Sequence, residues 1–169
     1  MVSNMNRKGS KTVLAFYPNQ LGFGFALMEN ALTLTDYQIV VSRPMSNSYL
    51  LKRIKELIVF YEPEIVILED IETKKSRKSK RVQKLMNLII SYAISHKVPL
   101  AFYSREQIRE VFLNFKAKSK FEIASTIAQN IPVLKNRLGD KRLIYKAESY
   151  AMGIFDSISL AVTHYYKTD

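Results

Sequence analysis

The amino-acid sequence predicts an α/β protein built on a mixed five-stranded sheet, and three observations carry that expectation. Three strand-like runs follow one another through short links between Thr12 and Ser42, which implies an antiparallel meander. Two further apolar runs, "EIVILED" and "LAFYS", alternate with amphipathic helical stretches, as parallel strands joined by crossovers do. The rest of the chain is helical in character, which supplies the layers needed to cover a sheet.

In "TVLAFYPNQLGFGFALMEN" two apolar and aromatic runs flank the turn-forming "PNQ" and read as a hairpin. "ALTLTDYQIVVS" is the third strand, and the alternation within it gives it one solvated face. Leu50, Leu51, Ile54, Leu57, Ile58 and Tyr61 then recur at helical spacing, with Ser46 or Ser48 as the cap and Pro63 marking the end. The near-continuous apolar run of "EIVILED" suits a strand at the buried centre of a sheet. A second amphipathic helix is expected from about Val82 to Lys97, leading to the strand "LAFYS". "REQIREVFL", "SKFEIASTIAQNI" and "AESYAMGIFDSISLAVTHYY" are helical, and "PVLKNRLGDKRLIYK" between the last two is an exposed connection.

A chain of 169 residues with 47% hydrophobic content suits one domain, expected over residues 12–169 behind a loose, basic N-terminal arm of residues 1–11. Its net charge of +11 favours a polyanionic partner. With no cysteine and only two histidines, thiolate zinc sites and histidine-rich metal sites are excluded, so any metal would sit on oxygen. No apolar run approaches the roughly 18 residues that span a bilayer, and the first residues lack the apolar centre of a secretory signal. A cytoplasmic protein that does not engage a membrane is expected.

The carboxyl ends of central strands are where open α/β sheets gather functional groups, and "EIVILED" stops there on Glu69 and Asp70. Strand side chains alternate between faces, so only one of the two serves a given site. The most basic run of the chain follows at once, with Lys74, Lys75, Arg77, Lys78, Lys80 and Arg81 placed to neutralise phosphates. A second reading makes Glu69 a partly buried strand-end carboxylate paired with a basic residue of that loop.

Taken in order, "VLAFYPNQLGFGFALME", "PEIVILED", "VPLAFYSREQIREVF" and "GIFDSISLAVTH" resemble the segments of RuvC-type Holliday-junction resolvases, over about Thr12 to Tyr166. The resemblance implies an RNase H-like fold and a nuclease centre in which acidic side chains hold two Mg2+ ions, with Mn2+ a substitute. It places two of those ligands on Glu69 and Asp156. The other two positions fall on Tyr17, where the family has an Asp, and on Gly153, where it has an Asp or His. Asp70 and Glu148 are the substitute carboxylates, and Asn19 or Glu29 would approach the centre from the hairpin.

The resemblance further aligns Lys120 and Arg109 with basic family positions, and sets Asn114 and Lys116 where the family has glycines. Lys116, Lys118 and Lys120 make this a second basic stretch ahead of a helix N-terminus. It also implies a homodimer, to which Leu85, Met86, Ile89, Ile90 and Ala93 would contribute. Two functions follow: a metal-dependent, structure-selective endodeoxyribonuclease acting on branched DNA, or a catalytically inactive DNA-binding or assembly subunit of the same fold.

Overall fold

Asn19 makes the first turn of the chain. Its Oδ1 accepts the N–H of Leu21 at 2.9 Å and of Gly22 at 3.2 Å, so that β1 (Val13–Pro18) folds back on β2 (Gly22–Asn30). The computed structural model describes residues 12–71, 78–138 and 151–168. The basic arm of residues 1–11, Lys74, Lys75, Arg77 and Glu148 lie outside the described residues.

After β3 (Thr33–Val41) the chain forms α1 (Asn47–Tyr61), β4 (Ile65–Glu69), α2 (Lys80–Ser95), β5 (Leu100–Tyr103), α3 (Arg105–Leu113), α4 (Lys120–Asn130) and α5 (Met152–Thr168). The sheet has five strands in the order β3-β2-β1-β4-β5. The first three pair antiparallel, while β4 runs parallel to both β1 and β5. This is the mixed sheet expected from the sequence, and its three parallel strands end together at Pro18, Glu69 and Tyr103.

Side-chain alternation splits the core into two layers. Leu14, Phe16, Val66 and Leu68 face α1 and α2, joined by Phe23, Phe25, Leu50, Leu85 and Met86. Val13, Ala15 and Ile67 face the other way, against Ile108, Ile123 and Ile158 of α3, α4 and α5. Tyr17 packs against this second layer, and the period of two puts Glu69 on the same face as Ile67.

Helix α5 is apolar on nearly every side, and its residues from Met152 to Thr163 are all buried. It crosses β2 in direct backbone contact: a Cβ on Gly24 would lie 2.3 Å from the Gly153 carbonyl oxygen. Only the absence of a side chain on Gly24 allows this approach.

Local signals explain most helix ends. Ser46 caps α1, as one of its two expected candidates, and Glu62 closes that helix in the left-handed conformation just before Pro63. Helix α2 starts two residues before the expected Val82, because Ser79 accepts the Val82 N–H, and it stops at Ser95. The capping boxes Ser104/Gln107 and Ser119/Glu122 start α3 and α4. In the expected connection, Pro132–Leu134 forms a 3-10 turn that buries Leu134.

The apolar stripe of α2 meets a different fate from the interface that the resemblance implies. Leu85, Met86, Ile89 and Ala93 are fully buried within the chain itself, so the core already uses them, while Ile90 of the same stripe is only partly buried. Ile94 is the exposed apolar residue of that helix.

Lys116 stands where the family has a glycine and keeps a glycine-like backbone, with φ of +59°. A left-handed L-residue costs about 1–2 kcal/mol, offset in part by the extra chain entropy glycine loses. Lys116→Gly is therefore expected to raise stability by up to about 1 kcal/mol, read as a higher urea midpoint at constant slope.

Candidate nucleic-acid interface and carboxylate centre

Where β1 and β4 end, the strand order and the crossing of α5 bring Tyr17, Glu69 and Asp156 into one cluster, and two lysines complete it. Lys78 Nζ lies 3.2 Å from Glu69 Oε2 and donates to the Pro18 carbonyl at 3.0 Å. The same ammonium sits 3.7 Å from the centre of the Tyr17 ring, a cation–π contact. Lys120 Nζ lies 3.4 Å from Asp156 Oδ2 and 5.6 Å from the same ring. Tyr17 thus lies beside both ammonium groups, and each carboxylate has its own lysine.

The two pairs differ in depth. The Lys78 and Glu69 side chains are only 11% and 12% exposed, whereas Lys120 is 33% exposed above the 7% exposed Asp156. Burial pushes the Lys78 ammonium below the ordinary lysine range, while the negative charges of Glu69 and Asp156 pull it back up and Lys120 opposes them. Glu69 Oε2 has the Lys78 ammonium as its partner, at 3.2 Å.

Elsewhere the expected residues are scattered. Asp70 is one position beyond β4, where alternation assigns it to the α1/α2 face, and its N–H donates to the Tyr103 carbonyl at 2.9 Å. Glu29 is exposed at the far end of β2, and Asn19 is engaged in its own turn. Arg81 is turned inward: its guanidinium donates to the Asn47 Oδ1 at 2.9 Å and the Asn19 carbonyl at 2.7 Å, tying α2 to α1 and the first hairpin. Lys80, Arg109, Lys116 and Lys118 are exposed. Lys80 follows Lys78 closely, and Lys116 and Lys118 precede Lys120, so these three border the cluster through the chain, while Arg109 lies along α3.

Sequence reasoning passed over His164, whose Nδ1 shares a 2.7 Å hydrogen bond with the Tyr103 hydroxyl and so ties α5 to β5. The expected pairing of Glu69 with a basic residue of the following loop is realised by Lys78, whereas Lys120 was expected only as a surface cation and its pairing with Asp156 was not foreseen. The signal that points to both lysines is indirect: two carboxylates buried without neighbouring acids must find cations somewhere.

The resemblance implies Mg2+, but the residues present do not fit it. Mg2+ demands near-octahedral coordination, so about six oxygens, several of them waters. Among the described residues the centre offers two carboxylates, both already paired with ammonium groups, beside a phenol at Tyr17 and no side chain at Gly153. Among the described residues, no three or more Asp, Glu, His or Cys come together as a metal-binding group. Nor is any described helix long and apolar enough to cross a membrane.

Neither a protein-family model nor a curated protein sequence matches the chain. Solved structures do. RuvC of T. thermophilus in complex with a Holliday junction substrate superposes with a TM-score of 0.64 at 18% identity, covering 92% of this chain and 94% of that one. A second Thermus thermophilus RuvC structure gives 0.65 at 18% identity, covering 92% and 95%. The chain therefore has the RuvC fold, an RNase H-like α/β architecture, from its first hairpin to its last helix.

Proposed function

We propose that this protein binds branched DNA at the edge where β1, β4 and β5 end, and that it does so without metal-dependent cleavage. One observation carries the reading: on a fold shared with a protein seen bound to a Holliday junction, the carboxylates at this edge are neutralised by lysines. With the carboxylates paired, the surrounding Lys80, Lys116, Lys118 and the half-exposed Lys120 give the edge a positive field for phosphates. The net charge of +11 acts in the same direction.

The test is a synthetic four-way junction incubated with the protein in Mg2+ and then Mn2+, beside a binding assay on the same DNA, on duplex and on structured RNA. Tight junction binding with no nicking in either metal is expected. Affinity should fall steeply with salt, and Lys118→Ala should reduce the slope of log K against log salt by about 1. Metal-dependent nicking that disappears in Asp156→Asn would instead establish the endonuclease reading. Preference for RNA would redirect the substrate.

A homodimer belongs to this proposal, but with a contact unlike the one the α2 stripe suggests. Val59, Phe60 and Ile94, exposed near the C-terminal ends of α1 and α2, are the exposed apolar side chains we assign to it. Sedimentation equilibrium of the wild type beside Phe60→Glu distinguishes dimer from monomer.

A further inference from the structure

We propose that the ammonium groups of Lys78 and Lys120 are built-in counterions that close the Glu69–Asp156 centre to divalent cations. The inference deepens the non-cleaving reading above and concerns the same residues, but it makes a claim about metal binding that needs no DNA to test.

Charge balance is the first argument. Among the described residues, two carboxylates and two ammonium groups make a centre of zero net charge, most of it buried. Adding a divalent ion there would place uncompensated positive charge in a poorly solvated site, at a cost of several kcal/mol per ion. The ion would first have to expel a lysine.

Coordination is the second. The Lys78 ammonium has three N–H groups, and its surroundings supply three partners: the Glu69 carboxylate, the Pro18 carbonyl and the face of Tyr17. A phenol ring is a poor partner for a hard divalent ion but a good one for an ammonium. Tyr17 is thus the right residue type for a lysine-filled centre and the wrong one for a magnesium centre. Its ring also meets Lys120, so a single side chain serves both cations.

The two lysines arrive from different places. Lys78 stands just before the Ser79 cap of α2, and Lys120 is the first residue of α4. Each therefore links a helix start to a carboxylate on another element, which a bound metal would otherwise do.

The experiment is Mn2+ titration of the DNA-free protein, followed by calorimetry and by thermal unfolding against NaCl of equal ionic strength. Wild type should show no binding heat and no specific shift. Lys78→Ala should unfold at a lower temperature than wild type, and Mn2+ at ten times its dissociation constant should raise that temperature by about 3–6 °C. Lys120→Ala, which alters the more exposed pair and leaves the Lys78 pin in place, should also gain an Mn2+-dependent rise, and it reads the result if Lys78→Ala does not fold.

Mn2+ binding by wild type that is lost in Asp156→Asn would overturn the proposal, as would the absence of any Mn2+ response in both folded lysine variants. Neither outcome bears on junction binding. Conversely, a protein that ignores DNA but behaves as described toward Mn2+ would sink the proposed function and leave this inference standing.

Discussion

Replacing Lys78 by methionine is expected to destabilise the protein by about 3–5 kcal/mol, the range for breaking a buried ion pair from one side. The substitution keeps the aliphatic volume, so little of the loss would come from a cavity. What it removes is the cation beside Glu69, whose buried Oε2 has no other partner among the described residues. It also removes the donor to the Pro18 carbonyl, and with it the link between the end of β1 and the start of α2. The double variant Lys78→Met/Glu69→Met should recover most of the loss, because replacing both partners leaves no buried charge alone. Urea unfolding of wild type, both single variants and the double variant gives the coupling directly. A single variant within about 0.5 kcal/mol of wild type, the scale of an ordinary surface change, would show that the pair does not pin these elements.

Much of the fold was legible because each element carries its own local signal. The buried run of β4, the alternation in β3 and the Ser46 cap are all sequence patterns with a direct physical meaning. The capping boxes at Ser104 and Ser119 were equally readable, since a Gln or Glu stands three positions after each serine, but spacing of apolar residues alone does not reveal them.

The centre was legible in its carboxylates and only partly in their partners. Glu69 ends a strand and Asp156 interrupts an apolar helix, and both facts are visible along the chain. A basic partner for Glu69 from the following loop was expected, but nothing local tells which of its lysines and arginines turns inward, and that is Lys78. The pairing of Lys120 with Asp156 joins the start of α4 to α5, a contact that only the tertiary packing creates. The α2 stripe was ambiguous for the converse reason: helical periodicity shows that a face is apolar but not whether the sheet or a second subunit covers it, and the core takes Leu85, Met86, Ile89 and Ala93.

Placing an acidic residue at position 153 is expected to damage the protein and not to create a metal centre. A Cβ at Gly153 would come within 3.0 Å of both Asn19 Nδ2 and Ile39 Cδ1, closer than nine in ten such contacts. Those are ends of side chains, so they can yield, but Asn19 also holds the first turn through Leu21 and Gly22. Gly153→Asp is therefore expected to cost about 1–3 kcal/mol from overpacking, with a further penalty for a carboxylate placed against Ile39. The opposing position is stricter. At Gly24 the added methyl would meet backbone, 2.3 Å from the Gly153 carbonyl oxygen and 2.4 Å from its carbon, and no rotamer change relieves that. Gly24→Ala should cost about 3 kcal/mol, the upper end of overpacking, because α5 as a whole must lift from β2. Lifting α5 carries Asp156 with it, so the Lys120 pair should loosen in the same variant, whereas Gly153→Asp should leave that pair closer to its native geometry. Thermal unfolding measures the first effect, and the 15N chemical shift of the Lys120 ammonium measures the second. If Gly24→Ala is as stable as wild type, α5 does not bear on β2 as closely as its two glycines indicate.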